Sequence, residues 1–221
     1  MLKRLRNLIF PPKCIFCNKI FDSNTDIYIC KDCYSAIEFK EGGFIKSGTG
    51  HDYFDSIVCV CEYTGIVKDA IKRYKFSNKP AYYRTFSGLL LSKIKEMTDY
   101  RLFDTIISVP LHPIRERARG YNQSFLISME LSRQLGITEG SNLLSRTRNT
   151  HSQSLLQRKD RLINVKGAFM VNDASKIKGK TVLLVDDVLT TGTTLNECSR
   201  VLKQAGAGKI IVAVVASGRR F

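Results

Sequence analysis

The sequence predicts an α/β protein, a parallel sheet covered by helices on both faces, with a small metal-stapled module ahead of it. Three observations predict this. Apolar runs of strand length alternate with amphipathic runs of helix length, the pattern of strands joined by crossover helices. Two Cys-x-x-Cys pairs, Cys14/Cys17 and Cys30/Cys33, stand near the N-terminus. One apolar run, 182–185, leads straight into two acids and a hydroxyl-rich turn.

The chain has 221 residues, 43% of them hydrophobic, enough for one ordinary domain and an appendage. It has no apolar run of ~18 residues, so no membrane insertion is expected. The stretch MLKRLRNLIF is too short in its apolar part for a signal peptide and no small-residue cleavage site follows, so the expected location is cytoplasmic. Thirty-five basic residues stand against 20 acidic ones, a net charge of +15, and most of the excess lies beyond residue 48. That balance points to an anionic partner, a polyphosphate or a nucleic acid.

The four paired cysteines form CxxC-x12-CxxC. In a chain without a secretory signal, this spacing predicts a metal rather than disulfides. Four thiolates suit tetrahedral Zn2+ in a closed structural site. Lys13, Lys19 and Lys31 stand close by and favour the thiolate form. The segment around these cysteines has few apolar residues and needs such a staple. The Gly-rich stretch 40–52 reads as the linker. The expected division is a zinc-ribbon module over 1–45 and the α/β domain over 46–221.

The elements follow in order. Residues 56–63 read as a strand, with Ile57, Cys59, Cys61 and Tyr63 on one face and Val58 and Val60 on the other. Residues 66–74 read as a helix through Ile66, Val67, Ala70, Ile71 and Tyr74. Residues 86–97 form another, through Phe86, Leu89, Leu90, Ile94 and Met97. Residues 105–109 are a short buried strand stopped by Pro110. Residues 121–135 read as helix, with Ile127, Leu131 and Leu135 at spacing four and Gly136 as the stop. The polar stretch 138–161 reads as a long mobile loop, and loops of that length inside a compact domain usually carry function. Then come a central strand at 182–185, a helix over 193–205 and a last strand over 209–216. Cys59, Cys61 and Cys198 read as core residues.

The run 182–194, VLLVDDVLTTGTT, carries most of the functional information. A helix N-terminus presents unpaired N–H groups and a positive dipole end, which suits phosphate. Gly192 lets the backbone approach closely. Thr190, Thr191, Thr193 and Thr194 add hydroxyls. Asp186 and Asp187 can accept hydrogen bonds from a vicinal diol. The run lies at the C-terminal end of a strand, where open α/β sheets bind ligands. Neither GxxxxGK[ST] nor GxGxxG is present, which disfavours a P-loop ATPase.

This run resembles the motif with which type I phosphoribosyltransferases bind phosphoribosyl pyrophosphate (PRPP). Two further segments narrow the resemblance to the ComF group of competence-associated phosphoribosyltransferases. One is VPLHPIRERARGYNQ at 109–123. The other runs from Arg146 through Gln153, Leu156, Arg161, Asn164, Val165 and Gly167 to Phe169. With the four-cysteine module ahead, the resemblance spans nearly the whole chain.

The resemblance implies a type I phosphoribosyltransferase fold and a set of roles. Asp186 and Asp187 would hold the ribose hydroxyls. Thr190, Thr191, Gly192, Thr193 and Thr194 would hold the 5-phosphate. The loop 111–115, with Leu111, His112 and Arg115, would hold pyrophosphate, and Mg2+ would bridge pyrophosphate and ribose oxygens. Arg117 and Arg119 are further cations for the departing charge. The stretch 146–161 would close over the site, with Arg146, His151, Arg158, Lys159 and Arg161 reaching phosphates. Thr190 stands where many purine salvage enzymes carry an acid. A neutral hydroxyl cannot serve as a base, so ordinary purine salvage is disfavoured and the acceptor is open.

Three functions compete. The first is a phosphoribosyl transfer enzyme. The second is a PRPP sensor that has lost turnover. The third is a competence protein that binds single-stranded DNA and works with DNA-uptake machinery proteins. Tyr74, Phe76, Tyr82 and Tyr83 among Lys72, Arg73, Lys75, Lys79 and Arg84 suit single strands. The same aromatics also read as core beside solvated cations.

Overall fold

The computed structural model describes residues 11–20, 27–42, 44–46, 52–149 and 165–219. The strands are β1 (Phe44–Lys46), β2 (Ser56–Glu62), β3 (Thr105–Ser108), β4 (Thr138–Glu139), β5 (Leu144–Arg146), β6 (Phe169–Val171), β7 (Thr181–Leu189) and β8 (Lys209–Ser217). The helices are α1 (Lys31–Ser35), α2 (Gly65–Phe76), α3 (Tyr83–Met97), α4 (Pro113–Arg119), α5 (Gln123–Leu135) and α6 (Thr193–Gln204).

The main sheet runs β1-β2-β8-β7-β3-β4, and β5 pairs with β6 in a separate antiparallel ribbon. All pairs of the main sheet are parallel except β1 with β2. Alternation along β3, β7 and most of β8 feeds two cores. Ile106, Leu183, Val185, Ile211 and Ala213 face α2, α3 and α5. Ile107, Val182, Leu184, Ile210 and Val212 face α6 and the ribbon. Burial on both faces is why these strands read as unbroken apolar runs. Each fully buried Leu, Ile or Val removes apolar area worth about 1.5–3 kcal/mol.

Several elements depart from the sequence reading. The stretch 138–161 is not a loop from its start. Leu143 and Leu144 are buried, so the chain forms β4, a 3-10 turn and β5 before residue 147. The segment 150–164, with His151, Arg158, Lys159 and Arg161, lies outside the described residues. The stretch read as linker begins with a buried Lys40, whose N–H donates to the Val60 carbonyl at 2.9 Å, and goes on into β1. Cys61 and Tyr63 join the core of α2 and α3 instead of following Cys59, at the point where Phe39 bridges to Cys61. Among the described residues no helix is long and apolar enough to cross a membrane.

Candidate active site

The sheet opens a cleft at one point. β3 accompanies β7 only as far as Ser108 opposite Val185, whereas β8 follows it to Ser217 opposite Leu189. Residues 186–189 therefore have no strand beside them on the β3 side. The chain beyond β3 leads outward to β4, and the chain beyond β7 leads back to β8. Opposite departures of this kind define the crevice where α/β sheets take ligands. The backbone at the fork is fixed by Val109 N–H donating to the Val185 carbonyl (2.9 Å) and by Asn122 Nδ2 donating to the Val109 carbonyl (3.1 Å). The cleft holds ≈ 700 Å³.

Asp186 and Asp187 lie within β7, not after it as the four-residue strand predicted. They point in opposite senses from the strand, yet both line the cleft. Asp186 accepts from the Ser124 hydroxyl at 2.7 Å. Ser124 is placed by the first turn of α5, where the Asn122 side chain caps the N–H groups of Ser124 and Phe125. Burial and the adjacent Asp187 carboxylate push the Asp186 carboxyl up to about 7, against the pull of Lys75 and the Ser124 hydroxyl. Asp187 is 1% exposed and makes an ion pair with Lys75 at 2.9 Å. Its Oδ2 is buried with no hydrogen-bond partner among the described residues. An acceptor left bare in this way costs about 1–3 kcal/mol unless a ligand donor fills it.

Lys75 and Ser124 escaped the sequence reading as members of this site. Lys75 stood among a run of cations and read as surface. Its signal was its position four residues after Ile71, which sets it on the buried edge of α2. Burial works against its charge, but Asp187 and Asp186 outweigh burial and hold the ammonium above the ordinary lysine range.

The turn after β7 has the shape the sequence implied. Gly192 sits at φ 77°, in the left-handed region, and begins α6 without a side-chain cap. The first turn of α6 lies along the cleft, with Thr190, Gly192, Thr193 and Thr194 in its wall, and apart from a long 3.5 Å contact of Thr193 N–H with the Thr191 hydroxyl it carries no side-chain cap. Thr191 turns aside. Its hydroxyl pairs with that of Thr193 at 2.9 Å, and its carbonyl accepts from the Arg219 guanidinium. Arg219 also pairs with Asp52 at 3.3 Å, so the end of β8 braces the turn from behind.

The segment 111–115 is not all loop, because α4 starts at Pro113. Leu111 and Arg115 line the cleft. His112 instead caps α4, its Nδ1 accepting from Ile114 N–H at 3.3 Å. Arg119, one turn after Arg115, also lines the cleft, while Arg117 is exposed on the far side. Arg146 reaches the cleft from β5 and is buried, with its guanidinium 5.2 Å from the Phe169 ring. Burial and the facing Arg115 lower the pKa of Arg146. Lys68, Lys72, Arg73 and Phe76 complete the wall from α2. Two acids thus face several cations across one cleft, an electrostatic trap for a polyanion carrying a diol.

The aromatics considered for single strands divide. Tyr74 and Tyr82 are core residues, buried against Phe86, so they cannot stack on bases. Phe76 is 68% exposed, with the Arg119 guanidinium 5.4 Å from its ring.

In the N-terminal module the sulfurs of Cys14, Cys17, Cys30 and Cys33 all lie within 4.8 Å of one another. Four ligands at ~2.3 Å from a tetrahedral ion would be about 3.8 Å apart, and Cys17 to Cys30 is 3.7 Å, so the residues present fit a metal ion. Burial opposes ionisation of Cys14, but N–H groups of Cys30, Cys17 and Phe16 bring its thiol down to about 7. Cys59, Cys61 and Cys198 are buried in the sheet and α6 and are not among the four converging sulfurs, as the sequence implied.

Residues 122–220 match the phosphoribosyl transferase domain family. The parallel sheet, its acid-bearing strand and the turn after it are accordingly a phosphoribosyltransferase fold of type I. The chain is 37% identical over 190 residues to competence protein F of Haemophilus influenzae, covering 83% of this chain and 82% of that one. It is 35% identical over 159 residues to the DNA utilization protein YhgH of Escherichia coli K12, covering 71% and 69%. Competence protein ComFC of Streptococcus pneumoniae is 29% identical over 178 residues, covering 80% and 70%. Among solved structures, a purine phosphoribosyltransferase from Pyrococcus horikoshii aligns over 60% of this chain and 69% of its own, at 20% identity and a TM-score of 0.37. The chain belongs to the competence protein F family.

Proposed function

We propose that the cleft binds Mg2+ and PRPP and transfers the phosphoribosyl group to an acceptor yet to be identified. The observation that carries this reading is the convergence of the acid pair and the open first turn of α6 on one cationic cleft. The bare Oδ2 of Asp187 and the carboxylate of Asp186 suit the two ribose hydroxyls. The α6 turn suits the 5-phosphate, and Leu111 with Arg115, Arg119 and Arg146 suits the pyrophosphate. When bound, Mg2+ would offset pyrophosphate charge through oxygens of the ligand and the acid pair. In the reaction an acceptor atom bonds to the anomeric carbon as the bond to pyrophosphate oxygen breaks, and the electron pair leaves with pyrophosphate. The arginines stabilise that departing charge. The cysteine cluster suits structural Zn2+.

The relatives named for competence and DNA utilization support a place for this chemistry in DNA uptake. Exposed Phe76 under Arg119, beside Lys68 and Lys72, favours a second reading in which single-stranded DNA lies along the rim. Calorimetry with Mg2+ and PRPP on wild type and on Asp186→Ala/Asp187→Ala tests the first. We expect wild type to bind and the double variant to lose at least about a hundredfold in affinity, or 2.7 kcal/mol. No wild-type binding at millimolar PRPP would overturn it. DNA binding along the rim would then take its place.

A further inference from the structure

Three consecutive residues of α2 hold three different parts of the molecule. Arg73 Nη2 donates to the carbonyls of Ile15 (2.8 Å) and Phe16 (3.0 Å), which lie in the turn between Cys14 and Cys17. The Tyr74 hydroxyl donates to the Gln123 carbonyl at 2.8 Å, in the first turn of α5, and the Tyr121 hydroxyl donates back to the Tyr74 carbonyl. Lys75 pairs with Asp187 at 2.9 Å. The cysteine turn also shares a core with this helix, since Cys14, Ile15, Phe16, Cys30 and Cys33 cluster with Val67, Ala70 and Tyr74. The last turn of α2 is therefore a bracket between the cysteine cluster and the acid pair.

We propose that Arg73 is a positioning residue through which metal in the cysteine cluster sets the Lys75–Asp187 contact, and with it the affinity of the cleft. Metal bonds to Cys14 and Cys17 fix the two carbonyls between them. Those carbonyls hold the Arg73 guanidinium, whose Nε is buried without a hydrogen-bond partner among the described residues. Arg73 in turn fixes the backbone that carries Lys75. With Lys75 in place, Asp187 keeps its counter-charge beside Asp186. Without it, two adjacent carboxylates in a buried cleft disfavour joint ionisation, the form that a diol and a divalent cation need. The effect on ligand affinity rests on the PRPP reading, but the coupling of metal to Lys75 does not.

The test is lysine acylation read by mass spectrometry on the full chain, metal-loaded and chelator-stripped, for wild type, Arg73→Met and Arg73→Lys. We expect Lys75 to be protected in loaded wild type and at least about fivefold more reactive after stripping, the low end of ordinary coupling between sites. Lys93 on α3, whose side chain is only 15% exposed, should not change. Arg73→Met should leave Lys75 reactive even when loaded, and Arg73→Lys should restore part of the protection. PRPP affinity should fall about tenfold on stripping wild type and not at all on stripping Arg73→Met. Equal Lys75 protection with and without metal overturns the proposal, as does a response to stripping that survives in Arg73→Met. Lys93 becoming reactive together with Lys75 also overturns it, because the chain then opens as a whole. If Lys75 follows the metal while PRPP binds neither form, the coupling stands and the phosphoribosyl reading falls.

Discussion

Asp186 is held between opposing influences: burial and Asp187 favour its neutral form, while Lys75 and the Ser124 hydroxyl favour the charge. Its folded value near 7 lies above the ordinary carboxylate value, so the folded chain keeps a proton that the unfolded chain has lost. Stability of the free protein should therefore decline as pH rises from about 4 to about 7. If Asp186 holds a ribose hydroxyl as proposed, ligand binding needs the charged form and PRPP affinity should rise over pH 6 to 8. Ser124→Ala removes a stabilising donor and should move that midpoint up by about one pH unit. Calorimetry across pH measures the shift, and a downward or absent shift would contradict the assignment. Lys75→Met leaves the buried Asp187 without its cation and should destabilise the chain by about 3 kcal/mol, readable as a lower denaturation midpoint.

At the scale of elements, the turn between β7 and α6 was the most legible part of the site. Its chemistry is local: strand, acids, hydroxyls, glycine and helix follow one another within thirteen residues, 182–194. Gly192→Ala should damage it in two ways. The residue would occupy a left-handed conformation, at about 1–2 kcal/mol, and its Cβ would fall against the Arg219 guanidinium. PRPP affinity should fall about tenfold or more while the helical circular dichroism stays close to wild type. What sequence reading missed is non-local. Lys75 meets Asp187 from another helix, and Ser124 meets Asp186 only because Asn122 caps α5. Arg146 was read as an arm of a mobile loop, but pairing of β5 with β6 lays it over Phe169 instead. Such contacts depend on which segments become neighbours, and hydrophobic periodicity does not encode that.

For the whole molecule, the N-terminal module is continuous with the core and not a separate bead. Arg73 reaches its carbonyls, Tyr28 N–H donates to Thr85 at 3.0 Å, and its cysteines join the α2 and α3 core. Stripping metal should therefore lower the melting temperature of the full chain by about 5 °C or more, since 1 kcal/mol is worth about 2–4 °C at this size. A module that melts separately, with the main transition unmoved, would contradict the shared core. Both cysteine pairs and the fold class could be read from the sequence because spacing and alternation are themselves the signal. The docking of the module could not, because the residues that carry it, Arg73 and Thr85, look like ordinary helix residues.

Occupation of the cleft between β3 and β7 by PRPP, as we propose, can be read by amide hydrogen exchange with and without Mg2+ and PRPP. We expect new protection at 190–195 and 111–115, and none in a second groove that Arg84 of α3 and Glu130 of α5 line. Unchanged exchange at 190–195 under saturating ligand would contradict it.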